Sequence, residues 1–259
     1  MTKAVTGTAA MQLVEKGRIG LEQPIGDLLP VVNVKVLEGF KPDGTPRLRQ
    51  PRVPVTLRHL LTHTSGYGYD IFNPDLARYI EVAGLPSILS RKNDALRVPQ
   101  LFDPGTSWEY GIGIDLVGKM VEAVTSLDLE SYFRRHIFDP LGMHDTSFLL
   151  RNDMARRLEG THVRGPDGKP VAVSIEPLEK AEFYTGGAGL FSTAPDYLAF
   201  TRMLLAGGTL DGVEVLKQET VKLMARNAIG DLDVPMVRSN NPALALEVET
   251  FPGQSRNGG

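Results

Sequence analysis

The stretch Thr2-Lys3-Ala4-Val5-Thr6, running on through Ala9-Ala10-Met11-Gln12-Leu13-Val14-Glu15-Lys16-Gly17, decides how this chain is read. Val5, Ala9 and Leu13 recur every four residues, which predicts a helix over 3–16 that ends at Gly17. Lys3 stands at its head. In a Ser-x-x-Lys arrangement the two side chains share a helix face, so the amine reaches the hydroxyl. Burial and nearby cations then let such a lysine act as a base toward the serine. No serine of this chain has a lysine three residues later, and only Met1 and Thr2 precede Lys3. A serine immediately before Met1 would complete the spacing.

Working outward, the 259 residues are 42% hydrophobic and 23% charged, a globular composition with enough chain for a sizeable core. Twenty-eight Lys and Arg against 31 Asp and Glu give a net charge of -3. That balance carries no footprint for nucleic acid or an anionic membrane. The absence of cysteine excludes disulfides, thiolate metal ligands and a cysteine nucleophile. It fits a reducing compartment without demanding one, and the localisation, cytoplasmic or exported, stays open. No apolar run reaches membrane-spanning length.

Residues 21–55 are proline-rich and read as irregular. Thr56 reads as the N-cap of a short helix through Leu60 and Leu61, and residues 64–74 as a Gly/Tyr/Asn-rich loop. Helices are expected near 75–83, 112–125, 128–137, 195–206 and 214–226, and a hairpin over 160–178 around Gly165-Pro166-Asp167-Gly168.

Other chemistries find little support. A phosphate loop is missing, because Gly186-Gly187-Ala188-Gly189 lacks the lysine and a preceding strand, and it reads as a structural turn. His59 and His63 are four apart, yet no His-Glu-x-x-His pattern exists, so a zinc site is not expected. His63 reads instead as a hydrogen-bonding structural residue. The hydrolase elbow Gly-x-Ser-x-Gly does not occur. Ser65 and His63 lie only two apart, a spacing at which side chains rarely face each other.

Five blocks, in order, carry a resemblance. They are the opening helix; Leu60-Leu61-Thr62-His63-Thr64-Ser65-Gly66; Phe102-x-Pro104-Gly105-x-x-Trp108-x-Tyr110; Asp139-Pro140-Leu141-Gly142-Met143-x-x-Thr146; and Gly186-Gly187-Ala188-Gly189-Leu190-x-Ser192-Thr193-Ala194-x-Asp196-Tyr197. Together they resemble the serine β-lactamase-like superfamily, in its class C β-lactamase and family VIII carboxylesterase branch. The resemblance implies an α/β (α+β) fold of the β-lactamase/transpeptidase type. It places an antiparallel sheet flanked by helices beside a mostly helical region, roughly 21–150. It also implies covalent catalysis, with Lys3 as the general-base partner, Tyr110 as the proton relay to the leaving group and backbone N–H groups at the oxyanion. Trp108 and Ile112 are the candidate substrate-binding residues. No metal or cofactor is implied, and the partner is a small-molecule ester or amide.

Three departures shape the functional expectation. The nucleophile is not in the chain, and no late-strand Lys-Thr-Gly equivalent is found, since Tyr184-Thr185-Gly186 belongs to the Gly-rich loop. The chain therefore reads as one domain over 1–259, truncated at both ends, with an incomplete sheet and no activity as it stands. Where the family often has Asn two residues after the tyrosine, this chain has Gly111-Ile112. Losing that amide favours a carboxylic ester over a β-lactam or peptide. The expectation is a serine hydrolase cleaving carboxylic esters through an acyl-enzyme. The alternatives are a β-lactamase or D-alanyl-D-alanine peptidase, and a non-catalytic ligand-binding member of the fold. Oligomeric state is not legible.

Overall fold

The computed structural model describes residues 1–29, 35–165, 167–173 and 181–240. Pro166, the 174–178 end of the expected hairpin with Ile175, and the turn-rich 251–259 stretch lie outside the described residues.

Apart from Lys3, Gln12 and Glu15, helix α1 (Thr2–Glu15) carries only apolar or small residues, and Thr2, Val5, Thr6, Thr8, Ala9, Ala10, Met11, Gln12 and Leu13 are all buried. A helix with no polar face has to be surrounded by protein. Here α4 and α5 pack against it. Its one long polar core residue, Gln12, is fully used. Gln12 Nε2 donates to the His136 carbonyl (3.1 Å) and the Val215 carbonyl (3.0 Å), and Oε1 accepts from the Tyr132 hydroxyl (3.2 Å). A buried amide so satisfied ties three distant segments to α1 without a desolvation penalty.

After α1 comes a hairpin, β1 (Val36–Phe40) with β2 (Pro46–Arg49), inside the stretch expected to be irregular. The turn residues account for it. Asp43 Oδ1 accepts the Thr45 N–H, and Gly44 takes φ +86. Helix α2 (Leu57–Leu61) is capped by Thr56 in a reciprocal box with His59, whose Nδ1 accepts the Thr56 N–H. Helix α3 (Pro74–Ala83) starts at the Asn73 cap, with Pro74 pre-set for the first turn, and stops at left-handed Gly84. Helices α4 (Gly113–Thr125) and α5 (Leu129–Phe133) follow. The single helix expected over 128–137 instead widens after α5 into a π-type turn at Arg134–Phe138.

Helix α6 (Asn152–Ala155) leads to the β3 (Thr161–Arg164) and β4 (Pro170–Val173) hairpin. Helix α7 (Ala194–Leu205) is capped by Thr193. Strands β5 (Thr209–Leu210) and β6 (Val213–Glu214) then close through Asp211 and Gly212, both at positive φ, as a tight twisted hairpin requires. That hairpin takes the start of the helix expected from 214, so α8 runs only over Gln218–Met224. Among the described residues all paired strands form two-stranded antiparallel sheets, with no larger sheet. No helix among them is long and apolar enough to cross a membrane.

Candidate active site

The site begins with two loops laced together. The 62–68 turn runs beside residues 100–110, joined by Leu101 N–H to the Gly66 carbonyl (2.7 Å), Gly105 N–H to the Thr64 carbonyl (2.8 Å) and Glu109 N–H to the His63 carbonyl (2.9 Å). Gln100 Nε2 adds a bond to the Ser65 carbonyl at 2.6 Å. Arg49 of β2 clamps Asp103 through two N–H···O bonds of 2.8 Å, which hold the Asp103 carboxyl down at about 2. Gly66 is required here: it sits at φ +87, and a Cβ would lie 2.4 Å from the Phe102 carbonyl oxygen.

This lacing presents Tyr110. Its ring packs against His63 (5.1 Å between centroids), Tyr69 (5.5 Å), Phe72 (5.8 Å) and Trp108 (6.3 Å, stacked). From the other side comes the head of α1. Lys3 Nζ lies 4.8 Å from the Tyr110 ring centroid and 5.2 Å from that of Tyr69, a cation over two aromatic faces. It donates to the Gly187 carbonyl (2.8 Å) and to the Tyr69 hydroxyl (3.1 Å).

Three of these partners were not singled out from the sequence. Tyr69 belongs to a loop legible only as Gly/Tyr/Asn-rich. Gly187 belongs to the glycine run read as a structural turn. Asp115 is a lone acid on the otherwise apolar opening turn of α4. It is 1% exposed. Its Oδ2 accepts from the Tyr69 hydroxyl (2.9 Å), and its Oδ1 accepts from the Gly187 N–H (2.9 Å). Burial pushes the Asp115 carboxyl up; the Gly187 N–H, the Lys3 charge and the Tyr69 hydroxyl oppose that shift. Burial first, and the Asp115 charge second, hold the Tyr69 phenol well above its ordinary range, so Tyr69 keeps its proton and donates it to Asp115. A buried acid with no other signal than its polarity among Ile112, Ile114, Leu116 and Val117 is the mark that could have found it.

The other candidates fall differently. Trp108 lines a cavity of 390 Å³ with Phe72, Asn73, Glu109, Tyr110 and Arg238. Ile112 does not join them: it is 2% exposed, stands at the N-cap of α4 and packs in the main core. His63 is structural too, though not by hydrogen bonding. It sits at φ +59 between the Trp108 and Tyr110 rings, its Nδ1 is buried without a partner, and burial followed by the Lys3 charge lowers it to about 3. Ser65 is buried, and its Oγ accepts from the Tyr67 N–H at 3.4 Å. On the side away from Trp108, Lys3, Gly7, Met11, Leu61, His63 and Ile114 contribute to a mainly apolar cavity of 310 Å³.

The family model described as Beta-lactamase matches residues 1–238. The chain belongs to the Beta-lactamase family. Its β-lactamase/transpeptidase-type α/β fold is shared with a mutant simvastatin synthase from Aspergillus terreus, at a TM-score of 0.77 and 39% identity, over 88% of this chain and 55% of that one. Among curated relatives, this family member is 40% identical to a monacolin J acid methylbutanoyltransferase of Aspergillus terreus, over 88% of the chain and 56% of the relative. It is 35% identical to a lovastatin esterase of Penicillium rubens, over 96% of the chain and 63% of the relative. The chain thus spans little more than half the length of the curated relatives it matches. Within the family, its relatives are acyltransferases and esterases.

Proposed function

We propose that the protein is an acyl-transfer enzyme that cleaves carboxylic esters through an acyl-enzyme and passes the acyl group to water or to an alcohol. The observation that carries this reading is the position of Lys3 Nζ, held by Tyr69 and Gly187 and set 4.8 Å over the Tyr110 ring. A lysine amine fixed beside a tyrosine at a helix head is a proton-moving pair, and such pairs serve a hydroxyl nucleophile. In this scheme the hydroxyl is that of a serine three residues before a helix-borne lysine, a spacing that puts the two on one helix face.

In the acylation step the serine oxygen bonds to the ester carbonyl carbon while its proton passes to the Lys3 amine. The tetrahedral adduct collapses, the carbon–oxygen bond to the alcohol breaks, and Tyr110 gives its proton to that alcohol while the proton taken up by Lys3 passes to the Tyr110 oxygen. Water or a second alcohol then bonds to the acyl carbon, its proton passes through the same Tyr110–Lys3 pair to the serine oxygen, and the acyl carbon–serine oxygen bond breaks to restore the serine hydroxyl. The nucleophile's own N–H, at the positive end of α1, serves the oxyanion. The cavity beside Trp108 and Tyr110 receives part of the substrate, with aromatic side chains on one part of its wall and Asn73, Glu109, Arg238 and Asn240 on the rest. Gly111-Ile112 lacks the amide that often follows the tyrosine and grips an acylamino group, which favours simple esters over β-lactams.

The test is steady-state kinetics on the chain extended upstream to include the preceding residues and downstream to the length of its relatives. Turnover of a short-chain nitrophenyl ester, acceleration of that turnover by an added alcohol, and little turnover of a chromogenic cephalosporin are expected. Faster turnover of the cephalosporin than of the ester would overturn the ester reading. No turnover of either would favour a non-catalytic member.

A further inference from the structure

Lys3 has two hydrogen-bond acceptors, the Tyr69 hydroxyl and the Gly187 carbonyl. Neither is free to choose its own orientation. The Tyr69 hydroxyl points its proton at Asp115 Oδ2, which leaves its lone pair toward the Lys3 amine. The Gly187 N–H is on Asp115 Oδ1, which pins the peptide unit that leads into the Gly187 carbonyl. One buried carboxylate thus holds both groups that hold the lysine, although it makes no hydrogen bond to the lysine itself. A carboxylate accepts only, so both contacts orient their donors. Gly187 completes the fit: a Cβ there would lie 2.6 Å from the Tyr69 hydroxyl and 2.7 Å from Asp115 Oδ2. The carboxylate sits in the first turn of α4, where the helix end favours negative charge.

We propose that Asp115 is a positioning residue for the acyl-transfer reaction, acting through Tyr69 and Gly187 to fix where the Lys3 amine stands. The proposal rests on the ester-cleaving reading for its kinetic consequence, but not for its structural one. Asp115 touches neither substrate nor the reacting atoms. Its work is to keep the amine over Tyr110 rather than swinging into the adjacent apolar cavity that Lys3 also lines. Displacements of an ångström in such a group cost orders of magnitude in rate.

Two variants test this in the full-length protein, Asp115→Asn and Tyr69→Phe, with their double. The first readout is independent of activity: the rate at which Lys3 reacts with trinitrobenzene sulfonate at fixed pH, by peptide mass spectrometry, relative to exposed Lys41. Release of the amine is expected to raise that rate about threefold or more in each variant. The second readout is ester hydrolysis. A fall in kcat of about tenfold or more with KM within about twofold is expected for each single variant. The double is expected to lose no more than the worse single, because both changes cut one chain of contacts. A merely structural Asp115 would lower the thermal midpoint and leave Lys3 labelling and KM-against-kcat untouched. Unchanged labelling in both variants, or losses that multiply in the double, overturns the proposal. If Asp115→Asn does not fold, Tyr69→Phe alone decides by the labelling rate. Absence of ester turnover in the parent protein would sink the functional reading while the labelling comparison still decides the role of Asp115.

Discussion

The carbonyl oxygen of Tyr67 stands 2.0 Å from the point where a side-chain carbon on residue 111 would be. Residue 111 is glycine for that reason, and the closeness lets the 67–69 turn press against Tyr110. Gly68 lies in the same place, its backbone 2.4 Å from the same point. Gly111→Ala is therefore expected to force the two loops apart. Urea denaturation should register a loss of about 1–3 kcal/mol or more, the range for overpacking against backbone that cannot give. A variant as stable as the parent would mean that the loops separate freely.

Tyr110→Phe separates chemistry from packing. The phenyl ring keeps its neighbours His63, Tyr69, Phe72 and Trp108. Stability should stay within about 0.5 kcal/mol of the parent. If the phenol carries the leaving-group proton, kcat for ester cleavage in the full-length protein should fall by about a hundredfold or more. Full activity in the phenylalanine variant would remove Tyr110 from the mechanism.

Gly187→Ala is expected to displace Tyr69 and Asp115 together, since its methyl would collide with both. Circular dichroism should report a lower thermal midpoint, and Lys3 labelling should rise as in Asp115→Asn. A midpoint equal to the parent's would show that the 186–189 turn shifts without cost.

The pH dependence of stability carries the signature of His63. Its folded-state value is lowered from 6.5 to about 3, so the unfolded chain binds a proton in that window and the folded chain does not. Its contribution to stability is full above about pH 6.5 and is lost progressively as pH falls toward 3. Between pH 7 and pH 5 this amounts to about 2 kcal/mol. His63→Asn, a residue that tolerates the left-handed φ of +59, should lower stability at both pH values but flatten the slope between them by that amount. Equal slopes in the two proteins, from urea titrations at both pH values, would contradict the assignment.

Local signals made most helices legible. Asn73-Pro74, Thr56 and Thr193 are start signals whose physics is confined to a few residues, and Gly84 is a stop of the same kind. Lys3 and Tyr110 were legible because each sits in a block of spaced residue types. Asp115 and Tyr69 were not, because what makes them matter is a set of contacts with residue 187 and residue 3 that no window contains. The β1–β2 hairpin was missed under five prolines, although Asp43-Gly44 marks its turn. In the π-type turn after α5 the His136 carbonyl, whose i+4 residue Pro140 has no N–H, is taken by Gln12, more than a hundred residues away. The burial of Ile112 was not legible, because position after a tyrosine says nothing about which way a helix cap faces the core.

The partners of α1 carry a consequence for how the protein is made. Thr6 Oγ1 donates to the Gly186 carbonyl, Lys3 to Gly187, and Gln12 to Val215, separations of 180, 184 and 203 residues. A ribosome adding about 5–20 residues per second needs roughly 10–40 s to deliver the last of them. For that interval α1 has no more than earlier elements such as α4 and α5 to pack against, and its bonds to residues 186, 187 and 215 are unmade. That unfinished face of α1 is where a chaperone would have something to hold.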